Sequence, residues 1–346
     1  MQELVGMSGQ ISPTDSLPFH TEMGVPAVSP VERERGADAA DPADYSLRSY
    51  REIARRAWIK NSEHNLSLLA AGVAFYAFLS FVPLLAAVIM AYGLIADASA
   101  VSRHMTMILD LVPVDAARLI NQQLTDLTQA AAGKKGLALV VAMAVSLYGA
   151  SRASGAMISS LNIVYEEEDR RSYIRWSLLA AALAGGAILL GVSGLFAASM
   201  LGTAETWIRA MGPLAASALR VFSWAIAAAI CVLMFAIIYR FAPNRADARW
   251  QWLSLGSVLA TLMWLAATGG FGLYAARFGD YDATYGSLGA VVVLLMWLYL
   301  SAYSVLLGGL INAEMERQTA RDTTTGTPRP MGRRGAVVAD TSAALD

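Results

Sequence analysis

Long uncharged stretches of apolar residues divide the chain into segments of similar length. A helix needs about 20 mostly apolar residues to cross a hydrocarbon core of roughly 30 Å, so stretches of this length predict membrane spans. Five stretches meet this requirement, and a sixth is interrupted by Arg152 alone. The predicted spans are residues 66–96, 136–165, 177–202, 215–240, 250–276 and 284–313. The pattern therefore predicts an all-α fold, a polytopic membrane bundle of six transmembrane helices.

The segments outside these spans differ from one another. Residues 1–44 and 317–346 are rich in Pro, Ser, Thr and charged residues without apolar periodicity, which predicts disordered tails on either side of a membrane domain at 45–316. Residues 97–135 form the largest predicted external loop. Residues 45–60 place apolar and basic positions on different sides of a helix. This segment is either an interfacial helix that offers arginines to anionic lipid or a simple topology anchor.

The composition agrees with a membrane protein. Hydrophobic residues make up 56% and charged residues 15% of the chain, and the mean hydropathy is +0.47, unlike a pair of soluble domains. The 26 basic and 27 acidic residues leave a net charge of −1, which excludes the broad basic surface of a dedicated nucleic-acid binder. The single cysteine, Cys231, excludes an internal disulfide framework.

The basic residues near the span ends predict the orientation. With the N-terminus inside, 17 of these Lys and Arg residues lie on the inner side and seven lie on the outer face or at helix starts. Basic residues are retained on the cytoplasmic side of bacterial membranes. Both termini are therefore predicted to be cytoplasmic.

Polar residues inside predicted spans are candidates for a translocation path or for structural hydrogen bonds. Arg152 either extends its side chain to the membrane surface or faces an internal cavity, and Ser159 and Asn162 follow it towards the end of the second span. Pro83 removes a backbone donor from the first span and predicts a kink. The remaining candidates in the first and last spans are Ser80, Asn312 and Glu314.

The segment FGDYDATYGSLG, residues 278–289, predicts a tight re-entrant hairpin between the last two spans. Its acidic residues either bind a cationic group such as a headgroup amine or serve only the turn. The candidate residues are Asp280, Tyr281, Asp282, Tyr285 and Gly286. Elsewhere, seven glycines of the third and fifth spans predict close helix contacts: Gly185, Gly186, Gly191, Gly194, Gly269, Gly270 and Gly272.

Signatures of catalysis are absent from the sequence. His20, His64 and His104 are isolated from other metal-ligating residues, and no phosphate-binding loop or nucleophile motif occurs. The carboxylates of residues 166–169 are followed at once by arginines and are interpreted as a solvated charged face. We therefore expect no catalytic residue, metal or cofactor.

Four segments together resemble the YihY/BrkB family of bacterial inner-membrane proteins, formerly mislabelled ribonuclease BN. The resemblance covers about residues 47–316, through AFYAFLSFVPLL from Ala74, YGASRASGAMISSLNIVYEEEDRR from Tyr148, RFAPNR from Arg240 and FGLYAARFGDYDATYGSLGAVVVLLMWLYLSA from Phe271. It implies a six-helix domain in the bacterial inner membrane with both ends cytoplasmic. Two positions depart from the family pattern: Leu310 replaces a common Glu, and Asp282 replaces a common Asn.

The resemblance also implies a role in maintaining the cell envelope. The first functional hypothesis is transport or flipping of a lipid or another amphiphilic envelope molecule, with membrane lipids as partners and no nucleic acid. The alternative is a membrane scaffold that binds a partner without transport. A tRNA-processing ribonuclease, the old family label, is a third and weaker hypothesis. The sequence leaves homo-oligomerisation open.

Overall fold

The computed structural model describes residues 28–93, 137–209, 213–277 and 287–345. Regular structure in these ranges is helical, apart from one isolated antiparallel bridge between Ala248 and Thr324. The helices are α1 (Pro30–Glu34), a 3-10 turn (Pro42–Asp44), α2 (Leu47–Glu63), α3 (Leu66–Gly93), α4 (Leu137–Val164), α5 (Tyr173–Arg209), α6 (Pro213–Phe241), α7 (Trp250–Arg277) and α8 (Ser287–Glu316). The predicted all-α fold is confirmed for this part of the chain.

Within the described part of the chain, four helices are long and apolar enough to cross a membrane. The windows that meet this criterion are Tyr173–Leu190, Ser217–Phe241, Trp250–Leu273 and Val291–Glu316. A fifth is reached if the bent pair Leu47–Glu63 and Leu66–Phe81 counts as one span. An integral membrane bundle is thus supported, while the number six and the cytoplasmic position of the termini stay predictions.

Helix α8 packs against four other helices: it contacts α2, α3, α4 and α7. Its closest approach to α7 is at Gly256 and Gly308, where a Cβ atom added to Gly256 would collide with the carbonyl oxygen of Gly308. Leu161, Leu306 and Leu310 are fully buried in the cluster around this contact. Leu310, one of the two positions that depart from the resemblance described above, is therefore a core side chain.

Many large apolar side chains point away from this core. Leu178, Val221, Phe222 and Trp224 are each at least 60% exposed on the long helices. Exposed apolar surface of this kind is costly in water and is satisfied by lipid tails, because these are as apolar as the side chains themselves. The outer surface of the bundle therefore fits a hydrocarbon environment.

Five of the seven glycines that the sequence predicts to permit close contact face open space, and the surroundings of the other two, Gly191 and Gly194, lie outside what the structure describes. Among the described residues, and apart from the backbone of the same helix, no atom lies within 4 Å of a Cβ added at Gly185, Gly186, Gly269, Gly270 or Gly272. Close contacts occur instead at Gly149 and Gly155 in α4, at Gly256 and at Gly308. Glycine density alone did not distinguish outward-facing positions from inward-facing ones.

The described parts of both terminal segments are ordered, which differs from the disorder that the sequence predicts. Residues 28–44 and 317–345 hydrogen-bond to each other, for example from Ala320 N to Ala37 O at 2.8 Å. The buried guanidinium of Arg334 organises the second segment by donating to four backbone carbonyls, those of Ala320, Arg321, Arg329 and Ala339. The hydrogen bonds of one arginine thus join four backbone positions of this segment, which has few large apolar side chains.

Candidate functional site

The end of the bundle that carries both terminal segments holds a cluster of paired charges, which we call the polar junction. It consists of Arg56, Glu166, Arg245, Glu314, Glu316 and Arg317. These residues come from α2, from the loops that follow α4 and α6, and from the end of α8. Helix α8 therefore carries two carboxylates to the start of the ordered C-terminal segment, and the turn after α4 adds a third.

Glu316 and Arg245 form the most buried ion pair of the polar junction. Two guanidinium nitrogens of Arg245 donate to the two oxygens of Glu316 at 3.0 and 2.6 Å, and both side chains are at most 1% exposed. Thr323 adds a hydrogen bond to the same carboxylate at 2.8 Å, and Arg245 lies over the ring of Tyr165. Burial lowers the pKa of Arg245, but the adjacent Glu316 more than compensates, so the net pKa is raised. The sequence gives no sign of this pairing, because 71 positions separate the two residues.

Glu314, a predicted site residue, is the second buried carboxylate of the polar junction. Arg56 Nε donates to it at 2.8 Å, and Arg317 lies 3.7 Å away. Arg56 also donates to the side chain of Gln318. Because each of its two oxygens has an ionic partner, and Arg56 lies on α2, Glu314 links α2 to α8.

Glu166 has three basic side chains around it, those of Arg317, Lys60 and His64. Arg317 contacts it at 2.9 Å and Lys60 at 3.0 Å, while His64 Nε2 is 3.5 Å away. Burial raises the pKa of Glu166, but Arg317 and Lys60 outweigh it and hold the pKa below its ordinary value. The pKa of His64 is lowered, chiefly by its burial.

The four carboxylates of residues 166–169 do not converge on one point. Helix α4 ends at Val164, and Glu166 has a φ of +58°, so these residues lie in a turn. Glu167 accepts from Val337 N at 2.7 Å, Glu168 pairs with Arg170 at 2.9 Å, and Asp169 accepts from Asn162 at 3.0 Å. The expected solvated face is wrong for Glu166, which is partly buried in ion pairs. Within the described ranges, no group of three His, Cys, Asp or Glu residues is placed to hold a metal ion.

The three polar candidates of α4, Arg152, Ser159 and Asn162, lie in two different environments. Arg152 and Ser159 are exposed on the outside of the bundle, and Arg152 lies 5.3 Å from the ring centre of Tyr148. Asn162 is buried, where its Oδ1 accepts from Asn244 N at 2.7 Å and its Nδ2 donates to Asp169. Of the three, only Asn162 contributes to the packed interior.

The candidates Asn312, Ser80 and Pro83 lie at helix contacts. Asn312 is fully buried and uses both ends of its amide on α7, accepting from Gly256 N at 2.8 Å and donating to Leu253 O at 3.3 Å. Ser80 donates to the carbonyl of Gly149 at 2.7 Å, and Pro83 packs against the same glycine. These polar groups satisfy backbone atoms of a neighbouring helix. The hairpin candidates Asp280, Tyr281, Asp282, Tyr285 and Gly286 lie outside the described residues.

An apolar cavity of about 230 Å³ lies between α3, α4, α6, α7 and α8, and it is partly open. Its polar feature is a hydrogen bond of 3.1 Å from Trp264 Nε1 to Ser301 Oγ. Cys231, the single cysteine of the chain, is in its wall. The other lining residues are Val73, Ala77, Met157, Met234, Phe235, Leu298, Ala302 and Val305. The sequence offers no signal for this cavity, since its lining looks like ordinary core.

Comparison with known proteins agrees with a membrane bundle. The chain is 28% identical to a UPF0761 membrane protein of Tolumonas auensis over 78% of this chain and 87% of the relative. It is 26% identical to a UPF0761 membrane protein of Cronobacter sakazakii over 77% and 90%. A putative ribonuclease-like protein of Bacillus subtilis, YfkH, is 29% identical over 54% and 68%. No solved structure matches the chain significantly. The family described as Virulence factor BrkB matches residues 57–331, and the chain therefore belongs to this family.

Proposed function

We propose that this protein is a six-span protein of the bacterial inner membrane that binds a lipid or another amphiphilic envelope molecule and moves it across the bilayer. The observation that carries the proposal is the apolar cavity between five helices. Ligand sites in helical bundles are typically apolar spaces with a few polar groups that orient the ligand. The Trp264 and Ser301 pair is such a group.

The arrangement of the termini supports an even number of crossings. The segments 28–44 and 317–345 hydrogen-bond to each other, which supports a topology with both on the same side of the membrane. Helices α3 and α4 are each 28 residues long, or about 42 Å at 1.5 Å per residue, which is enough to cross. Together with the four helices that meet the length and hydropathy criterion, they make six. The distribution of Lys and Arg then favours cytoplasmic termini.

The size of the cavity limits what it holds. Its volume is below the roughly 300–1,000 Å³ of pockets that enclose a drug-sized ligand. We therefore assign it to part of one acyl chain rather than to a whole lipid. The headgroup would stay outside the cavity, and Arg152 and Ser159, exposed on the outer face of α4, are candidates for its path.

Transport of a fluorescent phospholipid in proteoliposomes tests the proposal, with the substitution Ala77→Phe to fill the cavity. Ala71→Phe is the matched control, because residue 71 is on the same helix but exposed. We expect Ala77→Phe to lower the flipping rate at least tenfold and Ala71→Phe to leave it unchanged. Arg152→Ala tests the headgroup path in the same assay. Equal rates for the unsubstituted protein and empty vesicles would contradict a flipping role.

A scaffold without transport activity is the second candidate, and the ordered terminal segments favour it. Residues 325–330 are exposed on a folded segment and offer a fixed surface to a soluble partner. Truncating residues 317–346 would also remove Arg317 from the polar junction, so the charge reversals Arg329→Glu and Arg333→Glu are the cleaner test. If these substitutions abolish complementation of a deletion strain while Ala77→Phe does not, the scaffold role is favoured over transport.

A further inference from the structure

One face of helix α2 packs against the bundle. Ser49, Ile53 and Ala57 are buried, and α2 packs against α8. The ion pair from Arg56 to Glu314 at 2.8 Å adds a charged contact at the edge of this face. The orientation of α2 about its own axis is therefore set by the protein, and the residues on its opposite face cannot turn inward.

The junction between α2 and α3 sets the direction of α2 relative to the membrane. Asn65 has a φ of +50°, and the axes of Leu47–Glu63 and Leu66–Phe81 are bent by 63°. Spanning helices tilt by about 20° on average from the membrane normal. With α3 as a span, α2 lies closer to the membrane plane than to the normal, beside the lipid headgroups.

The outward face of α2 combines basic and apolar side chains. We call it the arginine-tryptophan face, and it consists of Leu47, Arg48, Arg51, Arg55 and Trp58. Leu47 is 89% and Trp58 77% exposed. Arg51 and Arg55 are one helical turn apart and exposed, and they form no ion pair or hydrogen bond with the described residues. Arg48 pairs at 3.4 Å with Glu52, its neighbour on the same helix.

This combination fits a surface of anionic phospholipid. Guanidinium groups donate in pairs to phosphate oxygens, and tryptophan is enriched at the level of the headgroups. Each basic residue next to a membrane raises the affinity of the protein for anionic lipid about fivefold. We propose that the arginine-tryptophan face binds the headgroups of anionic phospholipids and holds α2 in the interface. This inference does not rest on the transport role.

Depth measurements on the full chain in vesicles test the proposal. Ser62 is exposed on the same face and serves as the labelling site. It is replaced by cysteine in a Cys231→Ser background, and a nitroxide is attached to the new cysteine. Collisions of the nitroxide with oxygen and with a water-soluble nickel chelate report its depth. We expect a several-fold higher oxygen-to-nickel ratio in vesicles that contain phosphatidylglycerol than in pure phosphatidylcholine. Added salt should reduce the difference, because it screens exposed charges.

Two matched double variants separate charge from structure. Arg51→Gln with Arg55→Gln should abolish the dependence on phosphatidylglycerol, while Arg51→Lys with Arg55→Lys should retain most of it. Retention of phosphatidylglycerol by the detergent-purified protein, counted by native mass spectrometry, should fall at least fivefold in the glutamine variant alone. A nitroxide depth that is equal in both lipids, or phosphatidylglycerol binding that survives the glutamine substitutions, would overturn the proposal.

Discussion

The polar junction and the apolar cavity belong to the same bundle, but the first buries paired charges and the second is lined almost entirely by apolar side chains. In the polar junction, Glu314 and Glu316 are almost completely buried and each is paired with an arginine. In the cavity, space remains between five helices, and Trp264 donates a hydrogen bond to Ser301 on its wall. Paired buried charges demand a fixed geometry, whereas an apolar space accepts ligands of variable shape. The first region therefore fixes how the helix ends pack, and the second is where we propose that a ligand binds.

The largest expected effect comes from breaking the buried pair of the polar junction. Arg245→Ala leaves the Glu316 carboxylate buried without its partner, so we expect a loss of about 3–5 kcal/mol in the free energy of unfolding. The double substitution Arg245→Met with Glu316→Leu should cost much less, because it removes both charges. Thermal unfolding in detergent micelles measures the difference.

Arg170→Ala is the control for this prediction. Arg170 pairs with Glu168, but both side chains are about 80% exposed, so the stability should change little. If Arg245→Ala and Arg170→Ala gave the same unfolding temperature, the polar junction would not be the stabilising region that we describe.

The next largest effect is expected at the contact between α7 and α8. Gly256→Ala places a methyl group against the Gly308 carbonyl and the Asn312 amide, so we expect a cost of at least about 1–3 kcal/mol from overpacking. Gly270→Ala on the same helix is the matched control, since no atom lies within 4 Å of the added carbon. It should be neutral or slightly stabilising, because alanine favours helices more than glycine does. Equal losses in the two variants would contradict the close contact.

A smaller effect is expected from pH at the edge of the polar junction. Burial lowers the pKa of His64 below its ordinary value of 6.5, with Glu166, Glu63, Lys60 and Arg317 around it. The unfolded chain therefore binds a proton there at higher pH than the folded chain does. Stability from this group is complete above about pH 6.5 and is lost as the pH falls through the lowered pKa.

The variant His64→Gln isolates this contribution. Unfolding temperatures measured from pH 7.5 to 5.5 should fall more steeply for the unsubstituted protein than for the variant, in which the group no longer titrates. Parallel curves would mean that His64 is protonated equally in the folded and unfolded states.

The sequence predicts the apolar helices well, because uncharged stretches of span length have few alternatives in a chain of this composition. It predicts the site less well. Arg152 and Asn312 both interrupt apolar segments, yet Arg152 is exposed and Asn312 is buried against α7. Which side of a helix faces the core is hard to infer when apolar residues surround the helix on all sides. The ordered segment 317–345 was missed because the hydrogen bonds of Arg334 leave no hydrophobic pattern.

Photocrosslinking tests whether the cavity accepts an acyl chain. The purified protein is reconstituted with a phospholipid that carries a photoreactive group near the end of one acyl chain, and adducts are mapped by mass spectrometry. We predict adducts at Met157, Cys231 and Met234 in the cavity wall, which Ala77→Phe removes and Ala71→Phe does not. Adducts confined to outward-facing residues such as Phe222 and Trp224, with the same pattern in both variants, would contradict the assignment.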